Sequence, residues 1–249
     1  MTLRRLSFGE DAELYDRVRP TYPTELIDDL VELAGTGAAA VDAACGTGKA
    51  TVQLAERGLR GVGVEADAAM ASLATRNLAA YQGWRVDVSE FEDWQPRVDD
   101  GPFDLVTVAQ AWHWIDRDRG TRAAARLLRR NGWLAIFAYE PDFEDTPLRE
   151  AIDAIYADLA PEPSARSRAP SEQLPAGSAF EAPLERAYGG HTDYTTTAYL
   201  DVLRTHSDKR LMPADRRDLL LARLGAAIDE HGGVYRDRWV CRLWAARRA

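Results

Sequence analysis

The alternation of short apolar runs with helical patterns in the first half of the chain constrains the fold more than any other feature. Five strands are predicted by apolar runs at residues 38–44, 61–65, 84–88, 103–109 and 133–138. Helical patterns lie at residues 23–34, 50–57, 67–80 and 121–130. Strands that are joined through helices pair in parallel, so the pattern predicts an α/β fold with a doubly wound sheet.

The alternation stops after about residue 140. Further helices are predicted at residues 147–159, 196–205 and 213–231, and two more strands at 184–188 and 234–245. Residues 161–177 hold four prolines among serines and alanines and predict a flexible surface insertion. Because too little chain follows this segment to build a second core, we expect a single domain over residues 1–249.

The composition is that of an ordinary globular protein: 46% of the 249 residues are hydrophobic and 29% are charged. No apolar run approaches the roughly 20 residues of a membrane span, and the N-terminus has no apolar signal core. We therefore expect a cytoplasmic protein that does not bind membranes. The net charge of −9 disfavours binding to a nucleic-acid backbone.

Cysteines and histidines do not predict a metal site. Cys45 and Cys241 are too few for a disulfide framework or a cysteine metal set. The four histidines are scattered without ligand spacing, so we expect no metal.

A candidate ligand-binding turn follows the first predicted strand, with the sequence Asp42-Ala43-Ala44-Cys45-Gly46-Thr47-Gly48. Glycines in such a turn permit positive φ and let a ligand approach the backbone. The helix that follows begins with free N–H groups and a partial positive charge, which suit an anionic group.

The residue spacing separates the cofactor classes that use such turns. A P-loop requires Gly-x4-Gly-Lys-Ser/Thr, but Ala50 follows Lys49 and residue 43 is alanine. A dinucleotide fingerprint requires a third glycine where Thr51 stands, so it survives only as a degenerate match.

A third pattern, Asp/Glu-x-Gly-x-Gly-x-Gly with an acidic residue ending the second strand, fits better. Asp42, Gly46 and Gly48 match it, Glu65 supplies the acidic residue, and Ala44 replaces the first glycine. Glu65 can accept hydrogen bonds from both hydroxyls of a ribose. Asp42 can orient the loop and face the cationic end of an amino-acid moiety, and the Ala44 methyl should narrow the turn without abolishing it.

With these residues the chain resembles the class I S-adenosylmethionine-dependent methyltransferases. The resemblance extends over nearly the whole chain, and a bacterial and fungal subgroup with trans-aconitate-type methyltransferases shares the segments Phe8-Gly9, Tyr15, Arg19–Pro23, Phe91–Trp94, Ala109–Trp114 and Thr205–Ser207. It implies a Rossmann-like, seven-stranded, mostly parallel sheet with an antiparallel last strand and helical lid insertions. It also implies an N-terminal cofactor lid, a cofactor-binding core, a substrate-side insertion and a final helix and strand, at residues 1–25, 36–140, 141–210 and 211–249.

The resemblance implies S-adenosylmethionine as the cofactor. Arg19 would clamp its carboxylate, Glu90 would contact the adenine amino group, and Gln110 would lie near the methionine amino group. The full implied set of cofactor-binding residues is Tyr15, Arg19, Asp42, Ala44, Gly46, Gly48, Glu65, Ala66, Met70, Glu90, Phe91 and Gln110.

The residues after strand four are candidates for the chemistry, because ligands bind at the carboxyl edge of open α/β sheets. His113 is the candidate general base, with an orienting or packing role as the alternative. Aromatic faces there can shape an apolar pocket and stabilise a sulfonium. The candidate substrate-binding residues are Trp112, Trp114, Tyr139 and His206, with Tyr194 as a further candidate.

We therefore expect methyl transfer to an oxygen or nitrogen of a small-molecule metabolite, secondary metabolites included, by a monomer or homodimer. Two alternatives stay open: an NAD(P)-type nucleotide-binding oxidoreductase, and a protein that uses the S-adenosylmethionine site for a non-transfer reaction. A nucleic-acid methyltransferase is disfavoured by charge, and because Gln110-Ala111-Trp112-His113 stands where an Asn/Asp-Pro-Pro-Tyr-type motif would be.

Overall fold

A computed structural model describes residues 11–160 and 179–249. In this part of the chain a seven-stranded sheet has the spatial order β3-β2-β1-β4-β5-β7-β6. The strands are β1 (Ala39–Ala43), β2 (Arg60–Glu65), β3 (Trp84–Val88), β4 (Phe103–Ala109), β5 (Leu128–Pro141), β6 (Leu184–Thr195) and β7 (Val234–Arg247). Strands β1 to β5 pair in parallel, which confirms the predicted doubly wound sheet.

The last two strands run antiparallel. Strand β5 pairs with β7. The Asn131 N–H donates to the Arg248 carbonyl near the start of β5, and the Asp142 N–H donates to the Arg238 carbonyl just after its end. Residue numbers therefore rise along β5 while those of its partners fall, so the two strands are antiparallel. An antiparallel bridge joins Phe180, just before β6, to Arg248, just after β7, so β6 and β7 also run antiparallel. The antiparallel last strand expected from the sequence is confirmed.

Helices connect the strands: α1 (Ala12–Val18), α2 (Thr24–Ala34), α3 (Lys49–Glu56), α4 (Ala68–Asn77), α5 (Arg117–Leu127), α6 (Pro147–Leu159), α7 (Thr196–Arg204), α8 (Ser207–Arg210) and α9 (Ala214–Glu230). A 3-10 turn covers Trp112–Trp114. Side-chain caps fix several starts, since Asp67 accepts from the Ala69 and Met70 N–H groups and Thr146 accepts from the Arg149 N–H. Helix α6 has the predicted bounds.

The helix predicted at residues 121–130 is wrong at both ends. It begins at Arg117, because the Asp116 side chain caps it by accepting from the Arg119 N–H. It ends at Leu127, because residues 128–130 already belong to β5. Asn131 takes a positive φ of 62°, and the β4–β5 register shifts nearby, which lets the longer strand pass this point. Helices α1 and α8 were not predicted.

The described chain divides into two compact units. The sheet unit comprises residues 20–139, 179–188 and 241–249, and its core packs apolar residues of β1, β2 and β4 against α5 and β5. The helical unit comprises residues 11–19, 140–160 and 189–240, and its core packs α6, α7 and α9 together. The predicted insertion at 161–177 and Phe8-Gly9 lie outside the described residues, and the predicted single-domain organisation stays a prediction.

Among the described residues, no helix has the length and apolar character that crossing a membrane requires.

Candidate functional site

The loop between β1 and α3 is built from residues with left-handed backbone. Ala44, Gly46 and Gly48 have φ of 52°, 59° and 83°. The Cys45 N–H donates to the Val64 carbonyl (3.1 Å), and the Gly48 N–H donates to the Cys45 carbonyl (2.9 Å). A left-handed non-glycine residue costs about 1–2 kcal/mol, so Ala44 carries strain that a glycine would not.

Helix α4 packs directly against this loop. A Cβ added to Gly46 would lie 3.6 Å from Met70 Cε. A Cβ added to Gly48 would lie 3.3 Å from Ala74 Cβ and 3.4 Å from Ala74 Cα. The predicted loop glycines and the predicted adenine neighbour Met70 are thus brought together, and Gly48 is needed both for its φ and for this approach.

Glu65 ends β2 and holds the loop through its carboxylate. Oε2 accepts from the Gly46 N–H and Oε1 accepts from the Asp67 N–H, both at 2.8 Å. Burial raises the pKa of Glu65, while these two backbone hydrogen bonds oppose the rise. A carboxylate has about four acceptor positions, so each Glu65 oxygen keeps one for a ligand hydroxyl.

Asp42 is fully buried beneath the loop. Its Oδ2 accepts from the Thr51 hydroxyl at 2.5 Å, and its Oδ1 accepts from the Thr107 hydroxyl at 2.8 Å. Burial raises its pKa to about 6. Asp42 therefore ties β1 to α3 and to β4; that it also faces a cationic ligand group stays a prediction.

The two hydroxyls were missed by the sequence analysis. Thr107 stands opposite Asp42 in the β1–β4 register, and Thr51 lies in the first turn after the loop. The signal that would have found Thr107 is this register, which the sequence alone does not supply.

The segment after β3 lies beside the end of β2, because the Ser89 N–H donates to the Glu65 carbonyl at 2.9 Å. Phe91 is buried in the core of the sheet unit, and Glu90 is half-buried with its carbonyl bound by the Trp94 N–H. Ala66 is half-buried directly after Glu65. The predicted adenine-binding residues thus stand next to the predicted ribose ligand.

The segment after β4 begins with a strained residue. Gln110 has a φ of 56°, and its N–H donates to the Phe137 carbonyl at 2.8 Å. Trp112 is buried in the core, and its indole N–H has no partner within the described residues. His113 is exposed, with its ring centroid 4.5 Å from that of Trp114. The rings of His113 and Trp114 therefore lie side by side, whereas the Trp112 ring packs into the core.

Tyr139 anchors the segment before α2 to the sheet unit. Its hydroxyl donates to the Thr21 carbonyl at 2.6 Å, and its ring stacks on Tyr22 with centroids 5.7 Å apart. Tyr22 and Gln53 exchange two hydrogen bonds of 2.9 Å between backbone and side-chain amide. Tyr22 and Gln53 were not predicted as site residues, although Tyr22 lies in the Arg19–Pro23 segment that carries the family resemblance.

Three predicted residues meet in the helical unit. The Arg19 Nε donates to the Thr205 hydroxyl at 2.8 Å, and the guanidinium lies 5.2 Å from the centre of the Tyr15 ring. His206 follows Thr205 directly, and burial together with the Arg19 charge lowers its pKa to about 3. His206 is therefore neutral at physiological pH.

In the part of the chain that the structure describes, no group of three or more His, Cys, Asp or Glu side chains could hold a metal ion.

Comparison with known proteins identifies the sheet unit. Residues 41–136, from β1 into β5, match a family model described as a methyltransferase domain. These residues form a class I S-adenosylmethionine-dependent methyltransferase domain. A dinucleotide-dependent oxidoreductase is not favoured by this match, and the similarity to the trans-aconitate subgroup stays a prediction.

Relatives of this methyltransferase domain occur among bacteria. An uncharacterized methyltransferase of Mycobacterium tuberculosis is 38% identical over 131 residues, which cover 53% of this chain and 51% of that protein. The chain therefore spans about half the length of this curated relative.

Solved methyltransferase structures share the fold over more of the chain. One from Anaeromyxobacter dehalogenans, assigned as a type II methyltransferase, is 27% identical with a TM-score of 0.70, covering 92% of this chain and 97% of that one. Geranyl diphosphate C-methyltransferase from Streptomyces coelicolor, solved with Mg2+, geranyl diphosphate and S-adenosyl-L-homocysteine, is 19% identical with a TM-score of 0.50. That likeness covers 91% of this chain and 78% of the other, and it shows the fold alone.

Proposed function

We propose that the protein transfers a methyl group from S-adenosylmethionine to an oxygen or nitrogen of a small-molecule metabolite, including secondary metabolites. The observation that carries this proposal is the Glu65 carboxylate, which binds the glycine loop through Gly46 and keeps acceptor positions for ribose hydroxyls. The methyltransferase-domain match supports it.

The residues of the loop fit the cofactor. Left-handed Gly46 and Gly48 lie at the start of α3, where no side chain caps the helix. Glu65 would accept from the ribose hydroxyls, and Met70 would pack near the adenine with Ala66, Glu90 and Phe91. Ala44, Asp42 and Gln110 would shape the amino-acid end, and the roles of Tyr15 and Arg19 in a cofactor lid stay predictions.

Methyl transfer from a sulfonium is an in-line displacement, and the bound cofactor supplies the electrophilic carbon. The protein residues align the acceptor, exclude water and accept a proton where the acceptor carries one. His113 is the residue we assign to that last role, because it is exposed beside the Trp114 ring directly after β4.

We assign the acceptor pocket to Trp114 and Tyr139 of the sheet unit, while the substrate-binding roles of Trp112 and His206 stay predictions. A cytoplasmic location, a monomeric or homodimeric state, and the lack of nucleic-acid and membrane partners complete the proposal.

The proposal is tested by supplying methyl-labelled S-adenosylmethionine and a fractionated pool of small metabolites. We expect S-adenosylhomocysteine to accumulate only with fractions that contain the acceptor, and the label to enter a small molecule. If every fraction gives the acceptor-free background, the transfer activity is contradicted.

With an acceptor in hand, His113→Ala is expected to lower kcat at least tenfold while the Kd for S-adenosylhomocysteine stays unchanged. General-base catalysis typically contributes about 100-fold or more. His191→Ala, which removes an exposed histidine of β6, is the matched control and should keep wild-type turnover. Equal turnover in His113→Ala and wild type would leave His113 with a packing role.

A further inference from the structure

One face of the β6–β7 pair in the helical unit collects aromatic and acidic side chains. Side chains alternate along a strand, so Tyr235, Asp237 and Trp239 share one face of β7. The Trp239 Nε1 donates to the Thr192 hydroxyl at 3.3 Å, which places Thr192 and its alternate neighbour Tyr194 on that same face. We call this the tyrosine face.

The opposite face of β6 and β7 holds the basic residues of the same stretch. Arg236 binds both oxygens of Asp193 at 2.7 Å. Arg238 pairs with Asp142 at 3.1 Å. Their cations are therefore directed away from the tyrosine face and matched by carboxylates of their own.

Tyr199 of α7 covers the tyrosine face. Its ring centroid lies 3.9 Å from that of Tyr235 and 6.1 Å from that of Tyr194, so the three rings form a continuous aromatic surface. Tyr235 is buried and the other two rings are half-buried.

Asp237 is the charged residue that this arrangement leaves unmatched. It is half-buried, it acts electrostatically on Tyr194, Tyr199 and Tyr235, and no residue of the described chain gives it a hydrogen bond or an ion pair. Burial alone raises its pKa to about 6, so it is ionised at pH 7.5. A half-buried carboxylate without a partner is unfavourable, which favours a site that receives its counter-charge from a ligand.

The nearby cations are already engaged. Arg149 binds Asp153, and Arg19 binds Thr205. Both influence the tyrosines, yet neither pairs with Asp237. A cation that neutralises Asp237 would therefore come from a ligand and would have to fit beside aromatic rings. An organic ammonium group meets both conditions.

We propose that Asp237, together with the rings of Tyr194, Tyr199 and Tyr235, binds the ammonium group of an organic cation.

The site is tested by calorimetric titration of the full-length protein saturated with S-adenosylhomocysteine. The probes are benzyltrimethylammonium and phenethylamine, compared with neutral 2-phenylethanol and anionic phenylacetate. We expect both cations to bind at least tenfold more tightly than the neutral and anionic probes. Asp237→Asn should weaken cation binding at least tenfold, and Asp193→Asn, an acid-to-amide change on the opposite face, should leave it unchanged.

A pH series adds a second readout with benzyltrimethylammonium, whose charge does not depend on pH. Because the pKa of Asp237 is about 6, binding at pH 5 should be about tenfold weaker than at pH 7.5 in the wild type. The same comparison should show no change in Asp237→Asn. The titratable groups that face Asp237 hold their charge in this range, since the pKa values of Tyr194, Tyr199, Tyr235 and Arg149 are all raised.

Absence of cation binding, or equal binding by Asp237→Asn and wild type, would overturn the inference. The unfolding temperature of Asp237→Asn should not fall, because the substitution removes a half-buried charge. A protein that binds S-adenosylhomocysteine but no cation retains the proposed function and loses only this inference. A protein that binds cations but not S-adenosylhomocysteine loses the proposed function instead.

Discussion

Replacing Glu65 with alanine is expected to weaken S-adenosylhomocysteine binding at least tenfold, or about 1.4 kcal/mol. Two effects add. The variant loses the acceptor positions that Glu65 offers to the ribose, and it releases the Gly46 N–H that the carboxylate holds at 2.8 Å. Hydrogen bonds to charged groups contribute about 1.5–3 kcal/mol each, so tenfold is the smallest loss that the geometry supports.

Two further variants sharpen this test by calorimetry. Glu65→Gln keeps the shape, but its amide nitrogen would face either the Gly46 or the Asp67 N–H, donor against donor, so it should bind nearly as weakly as alanine. Glu56→Ala removes an exposed glutamate at the end of α3 and should keep wild-type affinity. An unchanged affinity in Glu65→Ala would remove Glu65 from the cofactor site.

Asp42→Ala is expected to destabilise the fold by about 3 kcal/mol, because two buried hydroxyls lose their acceptor at a cost of about 1–3 kcal/mol each. Thr51 and Thr107 are both fully buried. Asp42→Asn is the matched control, since its amide can bind one hydroxyl as donor and the other as acceptor. Chemical denaturation of the three proteins measures the free energy of unfolding.

The pH dependence of the Asp42→Asn comparison has a definite sign. The native pKa of about 6 lies above the value near 3.9 in the unfolded chain, so the native state binds more protons between these pH values. The Asp42 contribution to stability is therefore present below pH 4 and is lost as pH rises towards 6 and above. The stability of wild type relative to Asp42→Asn should fall from pH 4.5 to pH 7.

Two results would contradict this account of Asp42. One is an Asp42→Ala variant as stable as wild type. The other is a difference between wild type and Asp42→Asn that does not change with pH. Either would mean that the carboxylate does not carry the buried charge that anchors the loop.

The strands and helices that the sequence predicts best have clear local signals. Strands β3 and β4 and helix α6 have their predicted bounds, because apolar runs and the Pro147 start mark them. The errors occur where pairing with a neighbouring strand sets the bounds of a strand. Strand β5 begins at Leu128 and β6 continues to Thr195 because partner strands extend them, and a sequence pattern does not reveal the partner.

The same distinction applies to the site. Glu65 and the loop glycines are predictable, because their chemistry requires those residue types at that spacing. The Asp42 partnership with Thr107 depends on the β1–β4 register, and it becomes visible only in the folded chain. Asp237 belongs to no motif. It stands out only in the folded chain, because no side chain of the tyrosine face supplies a counter-charge for it.

The central claim is that this domain binds S-adenosylmethionine at the β1–α3 loop, and calorimetric titration of S-adenosylhomocysteine into the wild-type protein tests it most directly. We expect one site per chain with a Kd of about 100 μM or tighter, in the usual range for enzyme ligands, and no heat from NAD+ under the same conditions. Binding of NAD+ without binding of S-adenosylhomocysteine, or binding of neither, would contradict the claim.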